Sequence, residues 1–120
     1  DYFSMSDAGF LPSYFKGESF PLVVIEALMC GIPVVASDLG EIKKQLADEN
    51  DELAGALIPI CNWKLDIEKA VEIISTWAGN EYEYQKCRQR VSSAAKKMDI
   101  QNTAKKYIRL YQSKGVADFE

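Results

Sequence analysis

Histidine is absent from this 120-residue chain. Its absence excludes Ser-His and Cys-His nucleophile pairs and removes the commonest metal ligand. Only three cysteines occur, Cys30, Cys61 and Cys87, and their odd number and wide spacing favour reduced thiols over disulfides or a zinc site. Chemistry in this chain must therefore use carboxylates, backbone dipoles or groups supplied by another segment, and we predict no metal site.

The chain also lacks a long uninterrupted apolar segment. Its longest apolar stretch, 21–36, is broken by Glu26, Gly31 and Pro33, so it cannot span a bilayer and does not have the flanks of a signal peptide. A hydrophobic content of 48% with 27% charged residues is typical of one small globular domain. We therefore expect a cytoplasmic protein.

The chain has no overall excess of basic side chains, and its formal net charge is -4. This charge argues against a nucleic-acid partner. The basic side chains are nevertheless concentrated between residues 86 and 114, where the only acid is Asp99. A solvated helix face is the simplest explanation, while a sister domain or an anionic lipid surface would also suit this segment. The lipid alternative would place the protein peripherally at the inner membrane surface.

Short apolar runs alternate with helical patterns along the chain. The runs that predict buried strands are 8–12, 32–36 and 54–60. The segments that predict a buried helix and then a short amphipathic helix are 22–30 and 41–47. This alternation predicts an α/β fold, a partial doubly wound, Rossmann-like parallel sheet of about three strands with extra C-terminal helices.

From Asp66 onward the apolar residues recur at helical spacing. This spacing predicts three helices, with Asp66, Asn80 and Asp99 as their N-terminal caps. Asn80 with Glu83 resembles a capping box. The apolar face predicted for the first of these helices is Ile67, Ala70, Val71, Ile74 and Trp77. The face predicted for the second is Tyr84, Cys87, Val91, Ala94 and Met98.

Three strands make a small parallel sheet, since such sheets are normally larger and covered on both faces. The chain also begins with Asp1 instead of methionine. We therefore interpret it as part of a longer polypeptide. An edge strand without its neighbour is expected to pair with another copy, or the terminal helix to swap, which would give a dimer.

Two glutamates, Glu18 and Glu26, flank the start of the first predicted helix. If Pro21 is its first residue, the backbone N–H groups of Leu22 and Val23 are free to bind an anion such as a diphosphate. Glu26 either binds a partner, for example a pair of sugar hydroxyls, or faces water or a backbone amide. Glu18, in a loop, is by composition a solvated side chain.

Glu18 and Glu26 are separated by seven residues, and Ala-Leu-Met-Cys-Gly-Ile-Pro-Val-Val-Ala follows. This pattern closely resembles the E-x7-E signature of retaining GT-B glycosyltransferases of the glycogen-synthase-like group. The segments 6–13, 37–42 and 102–107 are similar to the preceding strand, the following loop and the terminal helix of that family. The resemblance implies that residues 1–120 are the C-terminal portion of the nucleotide-sugar-binding domain, without the N-terminal acceptor domain.

The resemblance also implies a role for each matched residue. Glu18 would be catalytic, in contact with the transferred sugar, and Glu26 would bind the ribose. The residues whose backbone would hold the sugar and phosphates are Ser19, Phe20, Leu22 and Val23. The implied activity is transfer of a hexosyl group from a UDP- or GDP-linked sugar to a glycan or lipid-linked saccharide, with retention and without a metal or other cofactor.

The sequence departs from the family in one place and omits one element. Gly40-Glu41 stands where many relatives have Gly-Gly, which adds a side chain near the donor loop. The basic pair that neutralises the leaving phosphate lies upstream of this region, so the chain alone is expected to be inactive. The alternatives are a non-catalytic α/β nucleotide-binding or regulatory module, and a structural role in which both glutamates only close loops.

Overall fold

The computed structural model of the chain describes residues 5–13, 22–97 and 100–113. The strands in those ranges are β1 (Gly9–Leu11), β2 (Val34–Ser37), β3 (Gly55–Ile58), β4 (Ile60–Cys61) and β5 (Lys64–Leu65). The helices are α1 (Leu22–Met29), α2 (Ile42–Leu46), α3 (Ile67–Gly79), α4 (Glu81–Arg88), α5 (Val91–Lys97) and α6 (Ile100–Ser113).

The first three strands form a parallel sheet in the order β1-β2-β3. Phe10 pairs with Val35, and Val35 pairs with Ala56 on the other side. All four residues of the central strand β2 are buried, as its apolar, β-branched sequence requires between two layers of helices. The predicted fold class is therefore confirmed.

Helices cover both faces of the sheet. The helices between consecutive strands, α1 and α2, lie on one face, as right-handed crossovers dictate, and α5 packs against both of them. The apolar centre of that layer includes Leu28, Leu46 and Val91. On the other face α3 covers Val35 and Ile58. None of the helices in the described ranges combines the length and apolar character needed to cross a bilayer.

A Schellman motif at the end of α1 redirects the chain toward β2. The Gly31 N–H donates to the Leu28 carbonyl over 3.0 Å, and the Ile32 N–H donates to the Ala27 carbonyl over 3.2 Å. Gly31 has a φ of 84°, which glycine adopts without a steric penalty. Pro33 follows and cannot continue the helix.

The predicted caps of α3 and α4 are present. The Asp66 carboxylate accepts a hydrogen bond from the Lys69 N–H over 3.0 Å, and the Asn80 side chain accepts one from the Glu83 N–H over 3.3 Å. The Glu83 side chain pairs with Lys86 over 3.4 Å instead of completing a capping box with the Asn80 N–H. The predicted cap Asp99 lies outside the described residues.

The second C-terminal helix, predicted as continuous, is divided into α4 and α5 at Gln89–Arg90. The guanidinium group of Arg90 donates to the Leu53 carbonyl over 3.1 Å and pairs with Glu52 over 3.1 Å. The division of the helix therefore coincides with an anchor to a distant loop. The buried residues still form the predicted face, namely Tyr84, Cys87, Val91 and Ala94; Met98 lies outside the described residues.

The predicted apolar face of α3 is wrong for three residues. Ile67, Val71 and Ile74 are 71%, 58% and 45% exposed, whereas Ala70 and Trp77 pack toward the sheet together with Ile73. The apolar residues of α3 occupy an arc wider than the sheet can cover. Phe10 of β1, in a strand predicted to be buried, is also 53% exposed. Self-association through this edge, or by a helix swap, stays a prediction.

The approach of β3 to β2 is closest at Gly55. A Cβ atom at Gly55 would lie 1.9 Å from the carbonyl oxygen of Val34, so the strands would have to separate. We predict that Gly55→Ala lowers the free energy of unfolding by about 3 kcal/mol. Gly79→Ala is the matched control, because a Cβ there meets nothing within 4 Å and the loss of backbone freedom favours it by about 0.5–1 kcal/mol. An unchanged urea midpoint for Gly55→Ala would contradict the strand pairing.

Asp48 organises the loop between α2 and β3. Its carboxylate accepts hydrogen bonds from the N–H groups of Asn50 over 2.8 Å and Glu52 over 3.0 Å. The pKa of Asp48 lies below its ordinary value, and the largest cause is the hydrogen bond from the Glu52 N–H. The hydrogen bond from Asn50 and the charges of Arg90 and Lys97 also lower the pKa, while partial desolvation raises it. The charged form is therefore the one that the folded loop favours.

This lowered pKa predicts a pH-dependent stability. Because the unfolded chain binds the proton of Asp48 more readily than the folded chain, the stabilisation is present above about pH 4 and is lost as the pH falls through the folded-state pKa. We predict that Asp48→Asn lowers the midpoint of thermal unfolding most near neutral pH and progressively less below about pH 4. A difference that stays constant between neutral pH and about pH 3 would contradict this assignment.

Candidate functional site

Helix α1 has one buried and one exposed side. The buried residues follow the i, i+3, i+4 spacing of a helix face and are Val24, Ala27 and Leu28. The exposed residues are Leu22, Val23, Glu26 and Met29. The sequence predicted a buried helix, and that prediction is wrong for half of its surface.

The structure describes three of the six predicted site residues. Leu22, Val23 and Glu26 lie on the same exposed side of α1, so a ligand on that side can reach all three. Glu26 is exposed to solvent, which is one of the alternatives left open by the sequence. The other three predicted residues, Glu18, Ser19 and Phe20, lie outside the described residues.

The N-terminal end of α1 carries a partial positive charge that favours an anion. The first N–H groups of a helix have no intrahelical acceptor and carry partial positive charge. The first turn of α1 contains no acidic side chain, so its own residues do not neutralise that charge. Leu22 is 66% exposed and Val23 is 46% exposed, so an anion can approach this end from solvent.

The ends of β1, β2 and β3 are joined by polar contacts at the same edge of the sheet. The buried hydroxyl of Ser37 donates to the Leu11 carbonyl over 3.4 Å. The Asp38 N–H donates to the Ile58 carbonyl over 2.9 Å. Gly40, with a φ of 55°, turns the chain from β2 toward α2. These contacts fix a loop beside the carboxyl end of β1, the position at which open α/β sheets bind ligands.

Glu41, the residue that departs from the family pattern, is engaged within α2. Its carboxylate lies 3.3 Å from the ammonium group of Lys44, and both side chains are substantially exposed. A pair of this kind contributes little to stability. The side chain added to this loop therefore has a local partner one turn along its own helix.

A short hairpin that the sequence did not predict follows β3. β4 and β5 are antiparallel, with Cys61 opposite Lys64, and the two turn residues, Asn62 and Trp63, have φ values of 53° and 61°. The available signal was Asn62 between two short apolar runs, but the usual Asn-Gly turn pair is missing. The predicted strand from 54 to 60 is consequently divided at Pro59.

The three cysteines form no disulfide, as expected for reduced thiols. Cys87 is buried and its thiol contacts the Gly55 carbonyl over 3.6 Å. Desolvation raises the pKa of Cys87 above its ordinary value, which disfavours the nucleophilic thiolate. Among the residues that the structure describes, no group of three His, Cys, Asp or Glu side chains is placed to hold a metal ion.

A parallel sheet lies between helical layers and has a helix N-terminus and two loops at its carboxyl edge. This arrangement is that of open α/β domains, the class of fold that binds ligands at that edge of the sheet. The family model for glycosyl transferases group 1 matches residues 1–98. This chain therefore belongs to the group 1 glycosyltransferases, a family with the GT-B fold, and the predicted GT-B relationship is confirmed at that level.

The chain is also similar to individual proteins and to a solved structure. The chain is 32% identical over 93% of its length to an uncharacterized 41.2 kDa protein of the cps region of Klebsiella pneumoniae, and it spans 28% of that protein. It is 46% identical over 40% of its length to D-inositol 3-phosphate glycosyltransferase 2 of Catenulispora acidiphila, of which it covers 11%. Sucrose-phosphate synthase from Thermosynechococcus elongatus superposes on 93% of the chain with a TM-score of 0.56 and 25% identity, and the chain covers 27% of it.

The two sides of α1 predict different responses to mutation. Glu26→Gln changes a solvated side chain, so we expect the free energy of unfolding to stay within about 0.5 kcal/mol of the parent value. Leu28→Ala removes a side chain that is 1% exposed, and we expect a loss of about 2–5 kcal/mol. Urea unfolding measures both, and a large loss for Glu26→Gln would show a structural role for this glutamate.

Proposed function

We propose that this chain forms the donor-binding part of a retaining glycosyltransferase of the glycogen-synthase-like group. The observation that supports this proposal is the common exposed side of Leu22, Val23 and Glu26 at the N-terminus of α1. Family membership supplies the reaction class. Because the chain spans 28% or less of the curated relatives cited above, the activity belongs to the complete polypeptide.

Each part of a nucleoside-diphosphate sugar has a proposed partner. The diphosphate lies at the N–H groups of Leu22 and Val23, where the partial charge of the helix opposes that of the phosphates. Glu26, about one helical turn further along α1, accepts hydrogen bonds from the ribose hydroxyls. Glu18 contacts the transferred sugar, and the backbone of Ser19 and Phe20 completes the sugar and phosphate contacts.

In the proposed reaction, the bond between the anomeric carbon and the diphosphate breaks. The oxygen of an acceptor hydroxyl bonds to the same face of that carbon and its proton passes to the departing diphosphate, so the configuration is retained. The transition state has oxocarbenium character and leaves negative charge on the diphosphate, which the end of α1 stabilises together with cationic groups from elsewhere in the polypeptide. We propose that a hexosyl group is transferred, that no metal participates, and that this chain alone is inactive.

The proposed donor is UDP- or GDP-linked and the proposed acceptor is a glycan or a lipid-linked saccharide. Helix α6 exposes Tyr107, Ile108 and Leu110 beside the basic residues Lys105 and Arg109. An amphipathic basic helix suits either a sister domain or an anionic lipid surface, so peripheral membrane association remains a proposal.

Nucleotide titration of the complete polypeptide tests the donor site. We expect UDP or GDP to shift the backbone amide signals of residues 18–26, and we expect Glu26→Ala to weaken nucleotide binding by roughly tenfold or more, because a charge-assisted pair of hydrogen bonds is lost. Glu72→Ala is the matched control, since Glu72 is another exposed helical glutamate, on the opposite face of the sheet.

The competing functions make different predictions in the same experiment. Nucleotide binding without sugar transfer to any saccharide acceptor indicates a regulatory module. Equal effects of Glu26→Ala and Glu72→Ala, or no nucleotide binding, would sink the assignment of the donor to α1. Sugar transfer by the isolated 120-residue chain would contradict the need for upstream cationic groups.

A further inference from the structure

The face of the sheet that carries α3 is covered over β2 and β3 but open over β1. Phe10 and Val35 are register partners in adjacent strands, so their side chains lie on the same face of the sheet. Val35 packs under α3 and is 2% exposed, whereas Phe10 is 53% exposed. The described residues therefore leave an aromatic side chain in the middle of a strand without cover.

A groove with a volume of about 560 Å³ lies between β1 and α3. Phe10 and Val35 line it from the sheet, Ile74 and Trp77 line it from α3, and residues of α4 complete the lining. The four named side chains are apolar. The groove therefore suits the apolar side chains of an adjoining structural element.

The exposed side of α3 has the pattern of a helix that packs beside another helix. Ile67, Val71 and Ile74 recur at the i, i+4, i+7 spacing of one helix face and are all exposed. They lie beside Ala70 and Trp77, which pack toward the sheet. At 1.5 Å per residue this apolar stripe is about 10 Å long, so it matches an amphipathic helix of two turns or more.

The spacing of helices and strands places such a helix over the free edge of β1. α3 packs on Val35 of β2 and Ile58 of β3, so it runs above those two strands. Packed helices are about 8–10 Å apart and neighbouring strands are about 4.8 Å apart, so the next helix lies two strands further on. β1 is the first of these strands and the last in the sheet. A helix in the groove therefore needs one further strand beneath it.

The outer edge of β1 has backbone groups directed toward that further strand. The Gly9 N–H donates to the Pro33 carbonyl over 2.9 Å, so the polar groups of Gly9 point toward β2. Successive residues of a strand alternate in direction, so the N–H and C=O groups of Phe10 point away from β2. Among the described residues, no strand pairs with this edge.

We propose that a parallel strand from another segment of the complete polypeptide pairs with the outer edge of β1, and that an amphipathic helix attached to that strand fills the groove beside α3. The same polypeptide is the source because the chain spans 28% or less of the curated relatives cited above, a difference in length that accommodates further strand-helix units. A right-handed crossover with its helix on this face runs opposite to those of α1 and α2, so the unit extends the sheet away from β2. The pairing needs no nucleotide and does not rest on the proposed function.

Photo-cross-linking of the complete polypeptide identifies the segment that covers β1. p-Benzoylphenylalanine replaces Phe10, and mass spectrometry identifies the peptides joined to it after irradiation. We expect cross-links to another segment of the same polypeptide, in a product that keeps the mass of one chain in denaturing electrophoresis. The matched control places the same group at Tyr82, which is 70% exposed on α4, and we expect it not to react with that segment.

Amide hydrogen exchange of the complete polypeptide tests the backbone pairing. We expect the Phe10 N–H to exchange about 100-fold or more slowly than in an unstructured peptide, because it donates to the added strand. The Gly9 N–H is the positive control, since its bond to the Pro33 carbonyl protects it whether or not a strand is added.

Two adjacent isoleucines of α3 test the helix in the groove. Ile73 packs against the core under α3, whereas Ile74 is 45% exposed in the chain described here. If a helix fills the groove, both side chains are buried in the complete polypeptide. We therefore expect Ile74→Ser to lower the urea midpoint of the complete polypeptide about as much as Ile73→Ser does, and Tyr82→Ser to leave it nearly unchanged.

Three results would overturn the proposal. The first is a Phe10 N–H that exchanges within about tenfold of the unstructured rate, and the second is an Ile74→Ser midpoint equal to that of the parent. The third is a cross-link from position 10 to a second copy, seen as a product of twice the chain mass, or to no other segment. If nucleotides fail to bind while all three expected results hold, the proposed function fails and the extended sheet stands.

Discussion

The parallel pairing of β2 with both neighbours is the constraint on which the rest of the structure depends. All four residues of β2 are buried, so every one of its backbone polar groups must be paired with β1 or β3. Gly55 permits this pairing because any side chain there would collide with the Val34 carbonyl. The parallel direction in turn forces a helix between consecutive strands and brings all three carboxyl ends to one edge.

Local signals in the sequence were sufficient where one residue type determines the backbone. Gly31 followed by Pro33 predicted the end of α1, and Asp66 and Asn80 predicted the starts of α3 and α4, because capping depends on neighbours within a few residues. Predictions failed where a distant partner decides. The break between α4 and α5 coincides with the contacts of Arg90 to the Leu53 carbonyl and to Glu52, which no helical periodicity reveals.

The same distinction separates the predicted parts of the site from the missed ones. Spacing alone placed Leu22, Val23 and Glu26 on one helix, but it could not show that their shared side is the exposed one, because nearly all residues of α1 are apolar. The direction in which α1 faces the sheet is set by Val24, Ala27 and Leu28 packing on β2 and α5. For α3 a similarly wide apolar arc left Ile74 outside the core and Ile73 within it.

An exposed Glu26 also limits how strongly this surface can bind by itself. A carboxylate in water gives up its hydration when it accepts hydrogen bonds from a ligand, so the net gain is modest until the surroundings exclude solvent. The partial charge at Leu22, which is 66% exposed, is likewise screened by water. Under the proposed function, strong donor binding therefore requires additional surface over α1. The N-terminal end of α1, the Gly40 turn and the β4–β5 hairpin all lie at the carboxyl edge of the sheet.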